Sequence, residues 1–209
     1  MKQPISLQLY NRLTKYLYYL EGLGADAPEN ISATTIAKAL ELNDVLVRKD
    51  LASVSNGGRP KTGYVTKELM ADISHFLGHD NTSDAVLAGV GNLGKALMSY
   101  DNFKNYGLDI VAAFDISPEL VGTEINGKKI FACEKMKNLC ERLNIKIGII
   151  TVPAEHAQSV CDMMIECGIK AIWNFAPVNL KLPDDVVVKN ENMAASLAVL
   201  IKRLDQKEK

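Results

Sequence analysis

Leu7, Tyr10, Leu13, Leu17 and Leu20 recur at three- and four-residue steps and predict one face of a helix that Gly22 and Gly24 end. Ser32 is placed to cap a short helix through Leu40. After the turn Glu41-Leu42-Asn43, either Asn43 or Asp44 can cap a further helix carrying Val45, Leu46, Leu51 and Val54. Two short helices joined by such a turn form a helix-turn-helix pattern. The stretch from Asn56 to Tyr64 holds Gly57, Gly58, Pro60 and Gly63, so it reads as a loop or hairpin. A helix over about residues 66–77 closes a winged-helix layout, and Gly78 to Ser83 reads as a linker.

The pattern then changes. Short apolar runs at 85–88, 110–114, 147–152, 171–175 and 186–188 are mostly separated by helical stretches. Continuous apolar strands alternating with helices predict a parallel sheet covered on both faces. The segment from Asn192 to Leu204 is helical, with Leu197, Leu200 and Leu204 on one side, and lies outside the sheet pattern. The expected fold is α/β: a winged-helix domain over 1–80, a Rossmann-type doubly wound domain over 83–190, and a C-terminal helix over 191–209.

Composition narrows the class. The chain has 209 residues, 47% apolar and 23% charged, as in ordinary globular proteins. Its formal net charge of −1 excludes a chain that is basic throughout. Locally the balance differs: Arg48, Lys49, Arg59, Lys61 and Lys67 face one acid, Asp50, in the same stretch. Arg48 and Lys49 fall in the recognition helix, and Arg59 and Lys61 at the wing tip, which suits contacts to bases and phosphates of DNA. Cys133, Cys140, Cys161 and Cys167 form no C-x-x-C pair, and no metal site is expected. No leader is expected in residues 1–9, and no apolar run is long enough for a membrane span, so a cytoplasmic location is expected.

The run Gly89-Val90-Gly91-Asn92-Leu93-Gly94 is G-x-G-x-x-G, between a predicted strand and a predicted helix. Asp115 ends the next strand about twenty residues on, where a ribose-binding acid belongs. These features predict NAD(H) in preference to NADP(H), because a carboxylate repels a 2′-phosphate. A glycine-rich turn serving another doubly wound fold, or a ligand such as coenzyme A, are the competing readings. His156 is the one histidine in this half that could serve catalysis, but its place in a helix first turn reads rather as a solvated side chain, and no catalytic residue is expected. Little chain remains to wall a substrate, which favours sensing over turnover.

Taken in order, these residues resemble one family, the redox-sensing transcriptional repressors called Rex. The resemblance rests on Arg12-Leu13 with Tyr16, Tyr18 and Tyr19, on Val47 to Leu51, and on Gly89 to Gly94 with Ala96-Leu97 and Tyr100. Ala113-Phe114-Asp115, Ile149 to Ala154 and Asn174 to Pro177 complete it. It implies a homodimer with a swapped C-terminal helix, bound to an inverted repeat in double-stranded operator DNA and released by NADH. It also implies that Tyr100, Thr151, Val152, Pro153, Asn174, Phe175 and Ala176 lie around the nicotinamide, and that Arg12, Tyr100 and Asn192 belong to the switch. Three positions depart from the family pattern: Thr14 stands for a proline, Ser53 to Gly58 lacks the usual Phe-Gly of the wing, and Asn192 stands for an aspartate. A neutral amide cannot form that aspartate's ion pair. The alternatives are a small NAD-dependent dehydrogenase with a helical dimerisation domain and a cofactor-binding interaction module without DNA affinity.

Overall fold

The computed structural model describes residues 6–207, so part of the 1–9 stretch read for a leader lies outside it. Two units divide at Asn81 and Thr82. In the first, the Ser6 hydroxyl accepts the Leu9 N–H at 3.2 Å and caps α1, Leu7–Gly22. The buried face of α1 is Leu13, Tyr16, Leu17 and Leu20. It departs from the expected stripe, because Leu7 is 74% exposed and Tyr16 is fully buried. The cause is packing: Leu13, Tyr16, Leu17 and Leu20 share one core with Leu69 and Ile73, and each fully buried Leu or Ile contributes about 2 kcal/mol.

Ser32 caps α2, Ala33–Ala39, by accepting the Thr35 N–H at 3.0 Å. Asn43 caps α3, Asp44–Val54, by accepting the N–H groups of Val45 and Leu46. Between them Glu41 takes a left-handed conformation, φ 53°, so the turn is tight. β1, Asn30–Ile31, pairs antiparallel with β2, Tyr64–Val65, and α4 spans Thr66–Leu77. Arg59 and Gly63 exchange two backbone hydrogen bonds and close the wing. Gly63 has φ 83°, and a Cβ there would strike the Ile31 carbonyl. Gly58 lies so close to the Tyr64 ring that a Cβ would come within 2.9 Å.

The second unit is a seven-stranded sheet in the order β5-β6-β4-β3-β7-β8-β9. Its strands are β3 Ser83–Ala88, β4 Leu108–Asp115, β5 Glu124–Ile125, β6 Lys128–Ala132, β7 Ile147–Ile150, β8 Ala171–Asn174 and β9 Val187–Asn190. All neighbours run parallel except β5 and β6. That hairpin was not foreseen, although Asn126-Gly127 marks it: both residues have positive φ, 51° and 73°, as a primed two-residue turn requires. The apolar run at 186–188 is also corrected. β9 is an edge strand with Val187 70% exposed, not a strand covered on both faces.

Successive residues of the central strands point to opposite faces, except at a bulge in β4, where Ala85 pairs Ile110 but Val86 pairs Ala112. Ala85, Leu87, Ile110 and Ala113 pack with Met98 of α5, Asn92–Ser99. Val86, Ala88, Ala112 and Phe114 pack with Met136 and Cys140 of α6, Met136–Leu143, and with Cys161 and Met164 of α7, Ala154–Glu166. Asn192 caps α8, Met193–Lys207, by accepting the Ala195 N–H at 2.8 Å. Met193, Leu197, Leu200, Ile201 and Leu204 of α8 are all exposed.

Burial also decides the thiols. Cys140 and Cys161 are buried, and that burial pushes each thiol up to about 11. Few thiolates therefore form near neutral pH. Ellman's reagent at pH 7.5 should modify at most Cys133 in the native protein, and the other three after denaturation. Rapid native labelling of all four would contradict this core.

Candidate functional site

Doubly wound sheets bind ligands where the strand order reverses, outside the carboxyl ends of the strands. Here that point lies between β3 and β7, with β4 on the other side of β3. The chain leaves β3 through Gly89, whose φ is 96°. A Cβ on Gly89 would come within 2.7 Å of Val152 Cγ1 and 2.9 Å of the Thr151 carbonyl carbon. The Thr151 hydroxyl donates to the Gly89 carbonyl at 2.6 Å, and the Thr151 N–H donates to the Ala88 carbonyl at 2.9 Å. The ends of β3 and β7 are thus stitched together.

The other two glycines differ in kind. A Cβ on Gly94 would collide with the Gly89 carbonyl oxygen, so this residue lets α5 lie against the strand end. A Cβ on Gly91 would meet nothing within 4 Å, so its backbone faces open space. No side chain caps α5 among the described residues, which leaves first-turn N–H groups directed at that space. Val90, Asn92 and Leu93 complete the loop around it. Asp115, at the end of β4, accepts the Val90 N–H at 2.6 Å and the Ser117 N–H at 2.8 Å. The carboxylate therefore sits against the glycine loop.

Beyond the loop lies a chain of rings. Tyr100, 48% exposed, stacks edge-on against Phe103 at 4.9 Å between centroids. Phe103 meets Trp173 at 5.6 Å, and Trp173 meets Phe175 at 4.7 Å. Val152 is half-buried and Pro153 is exposed. Asn174 is fully buried, and its amide nitrogen donates to the Val178 carbonyl at 2.9 Å and the Asn190 side-chain oxygen at 2.9 Å. Its amide oxygen accepts the Ala176 N–H at 3.0 Å. Asn174 thus shapes the turn through Phe175 and Ala176. The sequence reading did not place Phe103 and Trp173 here; for Phe103 the available signal was its apolar ring between polar neighbours, whereas Trp173 was read only as part of the strand at 171–175.

In the first unit, Arg48, Arg59 and Lys61 line a groove of about 500 Å³ with Ser32, Thr34 and Tyr64. Arg48 donates to Asp44 at 3.1 Å, one helical turn away, and both side chains are exposed. Lys49 and Lys67 are exposed as well. Lys61 holds a left-handed conformation, φ 70°, at the wing tip. Thr14 replaces the family's proline without breaking α1, and its hydroxyl donates to the Tyr10 carbonyl at 3.0 Å. Arg12 donates from Nε to Asp50 Oδ2 at 2.6 Å and from Nη2 to Oδ1 at 2.9 Å. The Tyr16 hydroxyl donates to Asp50 Oδ2 at 2.9 Å. Burial, then this hydrogen bond, push the Tyr16 phenol up, so it stays a donor. The sequence reading counted Asp50 as an acid among cations and did not find these partners. His156 is exposed in the first turn of α7. No group of three or more potential metal ligands occurs among the described residues.

Residues 80–178 match the family model described as "CoA binding domain", and residues 4–52 match "Putative DNA-binding protein N-terminus". A protein of Porphyromonas gingivalis named redox-sensing transcriptional repressor Rex is 44% identical over 193 residues, 92% of this chain and 88% of that protein. A crystal structure of RSP in complex with β-NAD⁺ and operator DNA superposes with a TM-score of 0.89 at 34% identity, covering 99% of this chain and 95% of that one. RSP in complex with β-NADH gives 0.88 at 33% identity, covering 99% and 97%. With its winged-helix and Rossmann-type units, this chain belongs to the Rex family of redox-sensing transcriptional repressors.

Proposed function

We propose that this protein is a homodimeric repressor that holds inverted-repeat operator DNA when NADH is scarce and leaves it when NADH binds. The observation that carries this reading is the pairing, in one chain, of a basic helix-turn-helix and wing with a glycine cradle closed by Asp115. The protein is a regulator and not an enzyme, and it works in the cytoplasm. No described helix is long and apolar enough to cross a membrane.

The cradle fits a dinucleotide. Gly89 to Gly94 and the first turn of α5 would receive the pyrophosphate, and Asp115 the adenosine ribose. Coenzyme A and NADP(H) both carry a phosphate on that ribose, which the Asp115 carboxylate would repel, so NAD(H) is the ligand. The nicotinamide ring is cationic when oxidised and neutral when reduced. Tyr100, Val152 and Phe175, with Thr151, Pro153, Asn174 and Ala176, would surround the ring, and against apolar side chains a cation costs desolvation. That surround therefore prefers the reduced form. Arg12, Tyr100 and Asn192 carry the response to the DNA-binding surface of Arg48, Lys49, Arg59 and Lys61. The exposed apolar face of α8 supports its exchange between subunits of a dimer. Moving such a dimer from 1:99 to 99:1 between two states requires about 5.5 kcal/mol of differential binding.

Fluorescence anisotropy of a labelled inverted-repeat duplex tests the reading. Release is expected at NADH concentrations where NAD⁺ does little; equal effects of both would refute it. Two substitutions separate the glycines. Gly91→Ala should leave the melting temperature unchanged yet weaken NADH binding about tenfold, read by quenching of Trp173, the chain's single tryptophan. Gly94→Ala should lower stability by about 2 kcal/mol. If both variants bind NADH normally, the cradle is wrongly assigned. Asp115→Ala should weaken NADH about tenfold and narrow its margin over NADPH; unchanged affinities for both would count against the ribose contact.

A further inference from the structure

Among the described residues Asp50 is the one charged residue that is buried, and it lies in α3 next to exposed Lys49. Both its oxygens are engaged from α1. Arg12 grips them side-on, and Tyr16, one turn further along α1, adds its hydroxyl to Oδ2. The Ser53 hydroxyl also donates to the Asp50 carbonyl at 2.6 Å, on the turn that leads to the wing. An apolar side chain at this position could stabilise the core as well as a buried ion pair does. What the ion pair adds is direction. A two-point guanidinium–carboxylate contact with a third donor is directional, whereas the apolar burial of Val47 and Leu51 is not.

We propose that Asp50 is a positioning residue for operator recognition: the Arg12–Asp50–Tyr16 contact sets the rotation of α3 so that Arg48 and Lys49 leave the domain in one fixed direction. The proposal rests on the repressor reading and adds the element that aims the recognition helix. Base contacts depend on that direction, and phosphate contacts much less. Loss of the contact should therefore lower sequence selectivity while general DNA affinity survives. Drawing Arg12 away from Asp50 would loosen operator recognition without any change in α3's own sequence.

The test uses the full chain and an operator duplex that the wild-type protein selects from a randomised inverted-repeat library. Affinity is measured for that duplex and for a scrambled one, with helix content by circular dichroism. Arg12→Gln leaves the Asp50 carboxylate without its cation, so operator affinity should fall about tenfold while scrambled affinity stays within about twofold. The double variant Arg12→Gln/Asp50→Asn replaces the ion pair by a neutral amide pair and should return to within about threefold of wild type. Tyr16→Phe should lower the operator-to-scrambled ratio about threefold. An unchanged ratio in Arg12→Gln, or no recovery in a folded double variant, overturns the proposal. Where Arg12→Gln fails to fold, Tyr16→Phe decides, and an unchanged ratio there overturns it. A wild-type protein that selects no duplex would instead defeat the repressor reading.

Discussion

The second unit is organised around one close approach. Three parallel strand ends meet at Gly89, Asp115 and Thr151, where there is no room for a Cβ on Gly89 or Gly94. Backbone polar groups brought this close must be paired, and they are: Thr151 with Gly89 and Ala88, Asp115 with Val90 and Ser117. The same economy leaves Gly91 and the start of α5 facing outward with open N–H groups. Outward N–H groups at a helix start are suited to a phosphate. The carboxylate of Asp115 gives this loop a negative charge at its rim.

The first unit solves a different problem, presenting cations in a defined direction. Asn43 starts α3, Gly58 and Gly63 let the wing fold against Tyr64 and Ile31, and Asp50 ties α3 to α1. Positive charge is concentrated on one groove, although the chain as a whole has a formal net charge of −1. Long-range attraction to DNA needs only such a patch, and selectivity needs the direction in which its side chains leave the helix.

The fold was legible where periodicity or punctuation was strong. Ser32 caps the helix assigned to it, Asn43 rather than Asp44 caps the next, and the G-x-G-x-x-G run opens a helix after a strand. The β5 edge of the sheet was not legible. β5 has only two residues, and β6 opens on Lys128 and Lys129, so its apolar Ile130-Phe131-Ala132 was not taken for a strand; the Asn126-Gly127 turn was the further mark. Site residues divided likewise. Asp115 stands at a fixed spacing from the glycines and could be read. The Arg12–Asp50–Tyr16 contact joins residues 38 and 34 positions apart, and nothing local records that separation. The ring chain through Phe103 and Trp173 similarly depends on the register of β8 beside β7.

Linkage offers the most direct test of the central claim that one molecule couples its cofactor site to DNA. If NADH weakens operator binding by some factor, the operator must weaken NADH binding by the same factor. Calorimetric titration of NADH into the free protein and into the saturated operator complex measures both sides of that relation. A lower NADH affinity is expected in the complex, by the factor seen for DNA release. The same NADH affinity with and without operator would contradict it.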